Sequence, residues 1–158
     1  MGTKKSAASG ELTICVNRRA RHNFFIDETY EAGLVLVGSE VKSLRDGKAN
    51  LSDSYARIQK GEPVLVNAHI SPYPGANQFN HEPTRTRKLL LHEREIERLT
   101  GKTKERGYTL IPLRMYFKHG RAKVELGLAR GKKLYDKRET IRRKDAQREV
   151  ERSMKARH

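Results

Sequence analysis

One cysteine, no tryptophan and no apolar stretch long enough to span a bilayer remove several classes of protein from consideration. A lone thiol, Cys15, closes no internal disulfide, so a secreted disulfide scaffold is excluded. It sits in the apolar run Leu12 to Val16, where a small buried thiol is the ordinary occupant. Lys4 and Lys5 lead into Ser6-Ala7-Ala8-Ser9-Gly10 and not into an apolar segment, so the sequence predicts no secretory signal and a cytoplasmic protein. Met1 to Ser6 formally fits a myristoylation pattern, but six residues of basic leader are more simply read as solvated. With no route to the secretory pathway, the acceptor-like Asn50-Leu51-Ser52 has no glycosylation to expect.

Acidic residues are also few. Lys and Arg number 34 against 19 Asp and Glu, a formal charge of +15 in 158 residues. Such a chain repels itself and seeks polyanions. A membrane surface would require a strongly apolar amphipathic face, and none is visible, so nucleic acid is the expected partner.

The charge is not uniform in kind. Gly131 to His158 carries eleven Lys or Arg against five Asp or Glu, with few apolar residues to offset an ordering entropy of about 1 to 2 kcal/mol per residue. The expected organisation is a leader over 1–10, a folded body over 11–130 and a basic tail over 131–158, disordered alone and helical on its acidic partner. A body of about 120 residues buries about two thirds of its unfolded surface.

Within the body, Leu12 to Val16 reads as a strand, and Asn17 as the N-cap of a basic stretch running to Phe24 and Phe25. Glu31 to Leu44 is rich in β-branched residues and interrupted by Gly33 and Gly38, which suggests a strand with bends. Ser54 to Ile58 and Val64 to Ile70 flank a turn at Gly61. Thr109 to Phe117 and Ala122 to Leu128 flank another at Gly120. Ser71 to Thr86, with three of the five prolines, reads as a long exposed loop. From Arg87 to Leu99 the spacing of Leu89, His92, Ile96 and Leu99 predicts a helix ended by Gly101. The fold class is therefore mainly β: a small antiparallel barrel of the oligonucleotide-binding kind, with about three helices and a basic C-terminal tail.

No catalytic motif stands out. The six histidines show no metal-ligand spacing, and Gly101-Lys102-Thr103 and Gly131-Lys132-Lys133 lack the glycine that a phosphate loop needs upstream. No cofactor, metal or enzymatic activity is expected, which favours a binding protein.

Three constellations suit RNA. Asn17 to Phe25 mixes the guanidinium groups of Arg18, Arg19 and Arg21 with His22 and two aromatics, though a solvated helix face is an equal reading. Thr84-Arg85-Thr86-Arg87-Lys88 sets three cations where a loop enters an expected helix. In the tail, Lys132, Lys133, Tyr135, Asp136, Lys137 and Arg138 precede Arg142, Arg143 and Lys144 among good helix formers.

Asn17-Arg-Arg-Ala-Arg-His22, Glu31-Ala-Gly33, Gly38 to Arg45, Gly47 to Tyr55, Asn67-Ala-His-Ile70, Arg85 to Leu91 and Gly131 to Arg138, in this order and spacing, closely resemble the small protein B family, the SsrA-binding proteins of bacterial trans-translation. The resemblance covers nearly the whole chain. It implies an oligonucleotide-binding barrel, not an enzyme, that binds the tRNA-like domain of transfer-messenger RNA and accompanies it to stalled ribosomes as a monomer, one per RNA. It implies further that the body stands where an anticodon stem would, while the tail enters the vacant messenger channel and meets small-subunit RNA at the decoding centre. Carried over by position, the RNA-binding face includes Arg18, Arg19, Arg21, His22, Glu31, Asn50, Leu90 and His92. Asp136, Lys137 and Arg138 match the tail motif of the decoding centre. Tyr135 stands where some relatives carry His, and the late Trp of some tails is absent. On physical grounds Glu31 accepts hydrogen bonds from base or ribose donors, or else pairs with Arg18 or Arg21. A structural ribosomal protein with a threaded tail fits the composition too; an RNA-modifying enzyme lacks any motif to support it.

Overall fold

The computed structural model of the chain describes residues 10–105, 107–132, 147, 148 and 150. In chain order it contains β1 (Glu11–Val16), α1 (Arg18–Asn23), β2 (Phe24–Leu34), α2 (Gly38–Arg45), β3 (Ala49–Asn50), β4 (Tyr55–Gln59), β5 (Glu62–Val66), β6 (His69–Ile70), a 3-10 turn (Pro74–Phe79), β7 (Arg87–Leu90), α3 (Glu93–Lys104), β8 (Tyr108–Lys118) and β9 (Arg121–Gly131). The leader and almost all of the tail lie outside the described residues.

Two tight turns set the register. Lys60 and Gly61 have φ of 51° and 78°, and His119 and Gly120 have 50° and 78°. Two successive residues at positive φ twist a two-residue loop in the same sense as the strands it joins. Gln59 thereby faces Glu62, and Lys118 faces Arg121. Both hairpins expected from the sequence are present.

The strands pair antiparallel in the order β1-β8-β4-β5-β7-β2-β9, and β9 returns to β8. That last pairing closes a ring. β8 is long enough to share its second edge between β1, along Arg114 to Lys118, and β4, at Leu110. Register shifts between Ile26 and Glu28 and between Pro112 and Arg114 bend the long strands round the corner. Inside lie Leu65, Leu89, Leu110, Met115, Val124 and Leu126, all at 1 % exposure or less. The protein is mainly β, an antiparallel barrel of the oligonucleotide-binding kind, with three helices among the described residues.

Several expectations are corrected. The apolar run at Leu34 to Val41 is not one strand: β2 ends at Leu34, Val35 and Val37 are exposed, and α2 begins at Gly38. Glu40 starts that helix by turning back to accept the Val37 N–H at 2.9 Å. The helix expected from Arg87 is first a strand, in which Arg87 and Leu89 point inward and Lys88 and Leu90 outward. α3 starts only at Glu93, where Glu95 accepts the His92 N–H at 3.0 Å, and it runs through Gly101. It packs on β4 and β8, and Arg98 tethers it to Glu28 of β2. Bonds from Arg98 and then Tyr30 hold the Glu28 carboxyl down at about 2. Asn17 occupies the N-cap position of α1 as expected, but its side chain makes no capping hydrogen bond. Its side-chain amide instead donates to the carbonyls of Pro112 (2.9 Å) and Leu51 (3.3 Å), tying the β1–α1 corner to the barrel.

The long loop after β6 is also more ordered than its composition suggests. Asn80 accepts from Tyr73 N and donates to Tyr73 O at 2.8 and 2.7 Å, and buried His81 contacts Ser39 Oγ and the Ile70 carbonyl.

At the centre of these attachments is Glu40, fully buried. Its carboxylate accepts from Arg87 Nε and from Arg85 Nε at 3.1 Å, while the remaining Arg87 nitrogens donate to Ala68 O (2.7 Å) and Pro83 O (3.0 Å). Helix α2, strand β7 and two points of the intervening chain, Ala68 and Pro83, are thus held by one carboxylate and one buried guanidinium. Burial alone pushes the Glu40 carboxyl up, but Arg85, the Val37 amide and Arg87 hold it below the usual range. Since the folded value is the lower one, the cluster contributes fully above the unfolded glutamate value of about 4.3 and is lost as pH falls through the depressed value. Glu40→Gln, which leaves Arg87 charged and buried, should cost about 3 to 5 kcal/mol in urea denaturation at pH 7. It should also flatten the acid limb of stability. A loss below about 1 kcal/mol, the range of a surface pair, would contradict this role.

Candidate nucleic-acid interface

Glu31 lies near the end of β2, where Tyr116 of β8 donates its hydroxyl to Glu31 Oε2 at 2.6 Å and Lys118 approaches at 3.2 Å. The Tyr116 ring is almost fully buried, and the Arg114 guanidinium stacks on it at 4.0 Å. Tyr116 therefore cannot swing away, and the carboxylate it holds has a fixed position on the surface. Bonding to Tyr116 sets the Glu31 carboxyl below its ordinary value, with Lys118 adding to the effect against a smaller push from burial. The same contact, added to burial, raises the Tyr116 phenol. Glu31 is an ionised acceptor at neutral pH.

Around it the register assembles cations and one apolar group. Residues directly opposite one another in an antiparallel pair project on the same face. Glu31 faces Glu125 of β9, which accepts from Arg114 Nε at 2.9 Å and lies 3.9 Å from Arg21 of α1. Gly33 faces Lys123 on one side and Leu90 on the other. A Cβ at Gly33 would lie 3.2 Å from that of Leu90, tighter than ordinary contact, so the missing side chain lets Leu90 lie flat against β2. The result is an open recess of about 290 Å³ lined by Gly33, Leu36, Val41, Leu90, Phe117 and Lys123. Leu90 remains 55 % exposed.

Arg18, Arg19, Arg21 and His22 are all exposed on α1, which packs through buried Ala20 on β2 and β8. Register and the approach of Arg21 to Glu125 thus bring Arg21, Glu31 and Leu90 to one side of the barrel, with Lys88 on the same outward face of β7 as Leu90, while His92 is exposed two residues beyond that strand's end. Glu31 pairs with neither Arg18 nor Arg21, contrary to the alternative the sequence allowed.

Two expected members are elsewhere. Arg87 is fully buried against Glu40 and presents nothing to a ligand, and Arg85 is committed to the same carboxylate. The helix start that was to concentrate their field does not exist at that point. Asn50 lies apart, in a polar recess of about 380 Å³ with Ser52, Asp53, Asn67, His69 and Thr84, where its Oδ1 accepts from Ser52 N at 2.8 Å.

The sequence reading missed Tyr116, Lys118, Arg114 and Lys123. The strand signal in β8 was legible, but which of its residues would meet β2 depends on a bulge at Pro112–Arg114 that shifts the face.

Lys132, the first expected tail residue, donates to the Arg21 carbonyl at 2.9 Å and lies 5.2 Å over the Phe25 ring, so the tail leaves the body beside α1. Lys133, Tyr135, Asp136, Lys137, Arg138, Arg142, Arg143 and Lys144 lie outside the described residues. Among the described residues no group of three or more His, Cys, Asp or Glu could hold a metal ion, and no helix is long and apolar enough to cross a membrane.

Residues 14–156 match the family model described as SmpB protein. An SsrA-binding protein of Desulforudis audaxviator (strain MP104C) is 66 % identical over 147 residues, 93 % of this chain and 96 % of that protein. One from Syntrophobacter fumaroxidans (strain DSM 10017 / MPOB) is 60 % identical over 157 residues, 98 % of each. A solved chain described by the words "tmRNA-SmpB" and "the center of the bacterial ribosome" superposes with a TM-score of 0.64 at 55 % identity, over 75 % of this chain and 83 % of that one.

Tyr116→Phe removes the hydroxyl that donates to Glu31 while keeping the ring. Titration of the Glu31 carboxyl by carbon NMR should then show its pKa rising toward the ordinary value, with stability reduced by about 1 kcal/mol. An unmoved titration would show that Tyr116 does not hold the carboxylate.

Proposed function

We propose, from the fact that this chain belongs to the SmpB family, that it binds the tRNA-like domain of transfer-messenger RNA and delivers it to stalled ribosomes for trans-translation. The observation that carries this reading is the fixed Glu31 carboxylate set among cations, half-buried at Lys118 and Lys123 and exposed at Lys88 and on α1. Lys and Arg at Arg18, Arg19, Arg21, Lys88, Lys118 and Lys123 grip phosphates whatever their sequence, and a carboxylate repels them. A carboxylate kept in such a place accepts instead from base amino or ribose hydroxyl donors, so it supplies selectivity where cations supply affinity. Leu90 and the recess beside it add apolar contact against a base or ribose.

The body takes the position of an anticodon stem. The tail, rooted beside α1 at Lys132, reaches into the empty messenger channel, where Tyr135, Asp136, Lys137 and Arg138 meet the decoding centre and Arg142, Arg143 and Lys144 continue as a helix on small-subunit RNA. Ordering the tail only there spends part of the contact energy at that step and makes an occupied channel incompatible with binding. The protein is an adaptor without a reaction or cofactor of its own. It acts in the cytoplasm as a monomer, one per RNA.

Glu31→Gln should weaken the complex with transfer-messenger RNA by about 1 to 3 kcal/mol in filter binding while lowering stability by no more than about 1 kcal/mol, so that the barrel stays folded. Deleting residues 136–158 should leave that affinity largely intact and abolish tagging of stalled chains. If the deletion removed both activities equally, the division of labour between body and tail would be wrong. With about eight phosphates neutralised, affinity should fall with salt on a log–log slope of several units.

A further inference from the structure

Phe79 is 80 % exposed, the most exposed of the large apolar residues described. Keeping such a ring in water forgoes the burial that ordinarily drives folding, and a mobile loop would fold it away. This loop cannot. Asn80, its neighbour, is bonded in both directions to the Tyr73 backbone, and His81 is locked on Ser39 and Ile70. Tyr73 is itself pinned, with its ring against Gly75 and Lys42 Nζ 5.5 Å from its centroid. At the loop's other root, Ser71 donates to the Lys48 carbonyl at 3.0 Å and accepts from Ser43 Oγ at 2.6 Å. The loop is therefore stitched along α2 and the turn that follows it, whose exposed side chains include Lys42, Arg45 and Lys48, with Asp46 the acidic exception.

We infer that Phe79 is a stacking platform for an unpaired RNA base, with the cations of α2 and its following turn holding the flanking phosphates, at a site separate from the Glu31 face. An exposed aromatic on a tethered loop, with Lys42 on the ring of the same loop's Tyr73 and with Arg45 and Lys48 exposed on the segment to which the loop is stitched, is a combination by which unpaired bases are taken: the ring accepts any base, and the cations track the backbone. The base could belong to transfer-messenger RNA or to ribosomal RNA, and two probes separate these sources: a transfer-messenger RNA transcript and vacant small ribosomal subunits.

With the full chain, Phe79→Ala should weaken binding to one of the two probes by about tenfold. Phe79→Trp should restore it, and neither should shift thermal unfolding, because the ring packs on little. Arg45→Ala should lower the salt slope for that same probe by about one unit. Unchanged affinity for both probes would overturn the inference and point to a protein partner for Phe79. Equal loss in the Ala and Trp variants would also overturn it, since a stacking platform tolerates either aromatic. Glu31→Gln in the same assay keeps this idea separate from the proposed function: loss with Glu31→Gln alone sinks only the Phe79 site, and loss with Phe79→Ala alone sinks only the Glu31 face.

Discussion

The buried carboxylate of Glu40 decides what the rest of the basic surface is free to do. It accepts from Arg85, from the fully buried Arg87 and from the Val37 amide, and so joins the start of α2 to β7 and to the loop that precedes β7. A charge taken out of water is tolerated only if it is paired and fully hydrogen-bonded, and Arg87 meets that condition by donating to Glu40, Ala68 and Pro83. Two arginines of the cationic run at 85–88 are consequently structural. Because β7 is fixed in this way, Leu90 is set beside Gly33 and the recess next to Glu31 takes its shape.

A second carboxylate performs the complementary task at the surface. Glu31 is held by Tyr116 and Lys118, and Tyr116 is held in turn by burial and by Arg114. The two glutamates lie nine positions apart in sequence and differ in what completes their hydrogen bonding. Glu40 has its acceptor capacity filled from within the protein, whereas Glu31 keeps a solvent-facing side available to a ligand. Arg21 of α1 stands nearby, 3.9 Å from Glu125 opposite Glu31.

How much of this was legible in the sequence follows the range of the interactions. Lys60-Gly61 and His119-Gly120 declare their hairpins locally, because positive φ at a two-residue turn is a property of those residues alone. The apolar spacing of Ile96 and Leu99 belongs to a real helix, but extending it back to Leu89 merged a strand with a helix, since Leu89 fits both periods. The β-branched residues around Val35 to Val41 concealed α2, whose start depends on Glu40. Arg87 reads as a surface cation until a carboxylate 47 positions away removes it from the surface. Glu31 and Leu90 were placed by resemblance to a family, and the geometry supplies their neighbours, Tyr116 and Lys118, from a strand 85 or more residues distant.

The central claim is that the arginines and lysines of the body are divided between holding the barrel and holding RNA. Nitrogen-15 NMR of the chain, observing backbone amides and arginine Nε–H groups during titration with the tRNA-like fragment of transfer-messenger RNA, tests this most directly. The account predicts perturbations at Arg18, Arg19, Arg21, Glu31, Leu90 and Lys118, with the Arg87 Nε–H unmoved on Glu40. A spectrum in which Arg87 shifts while α1 and Glu31 stay silent would contradict it.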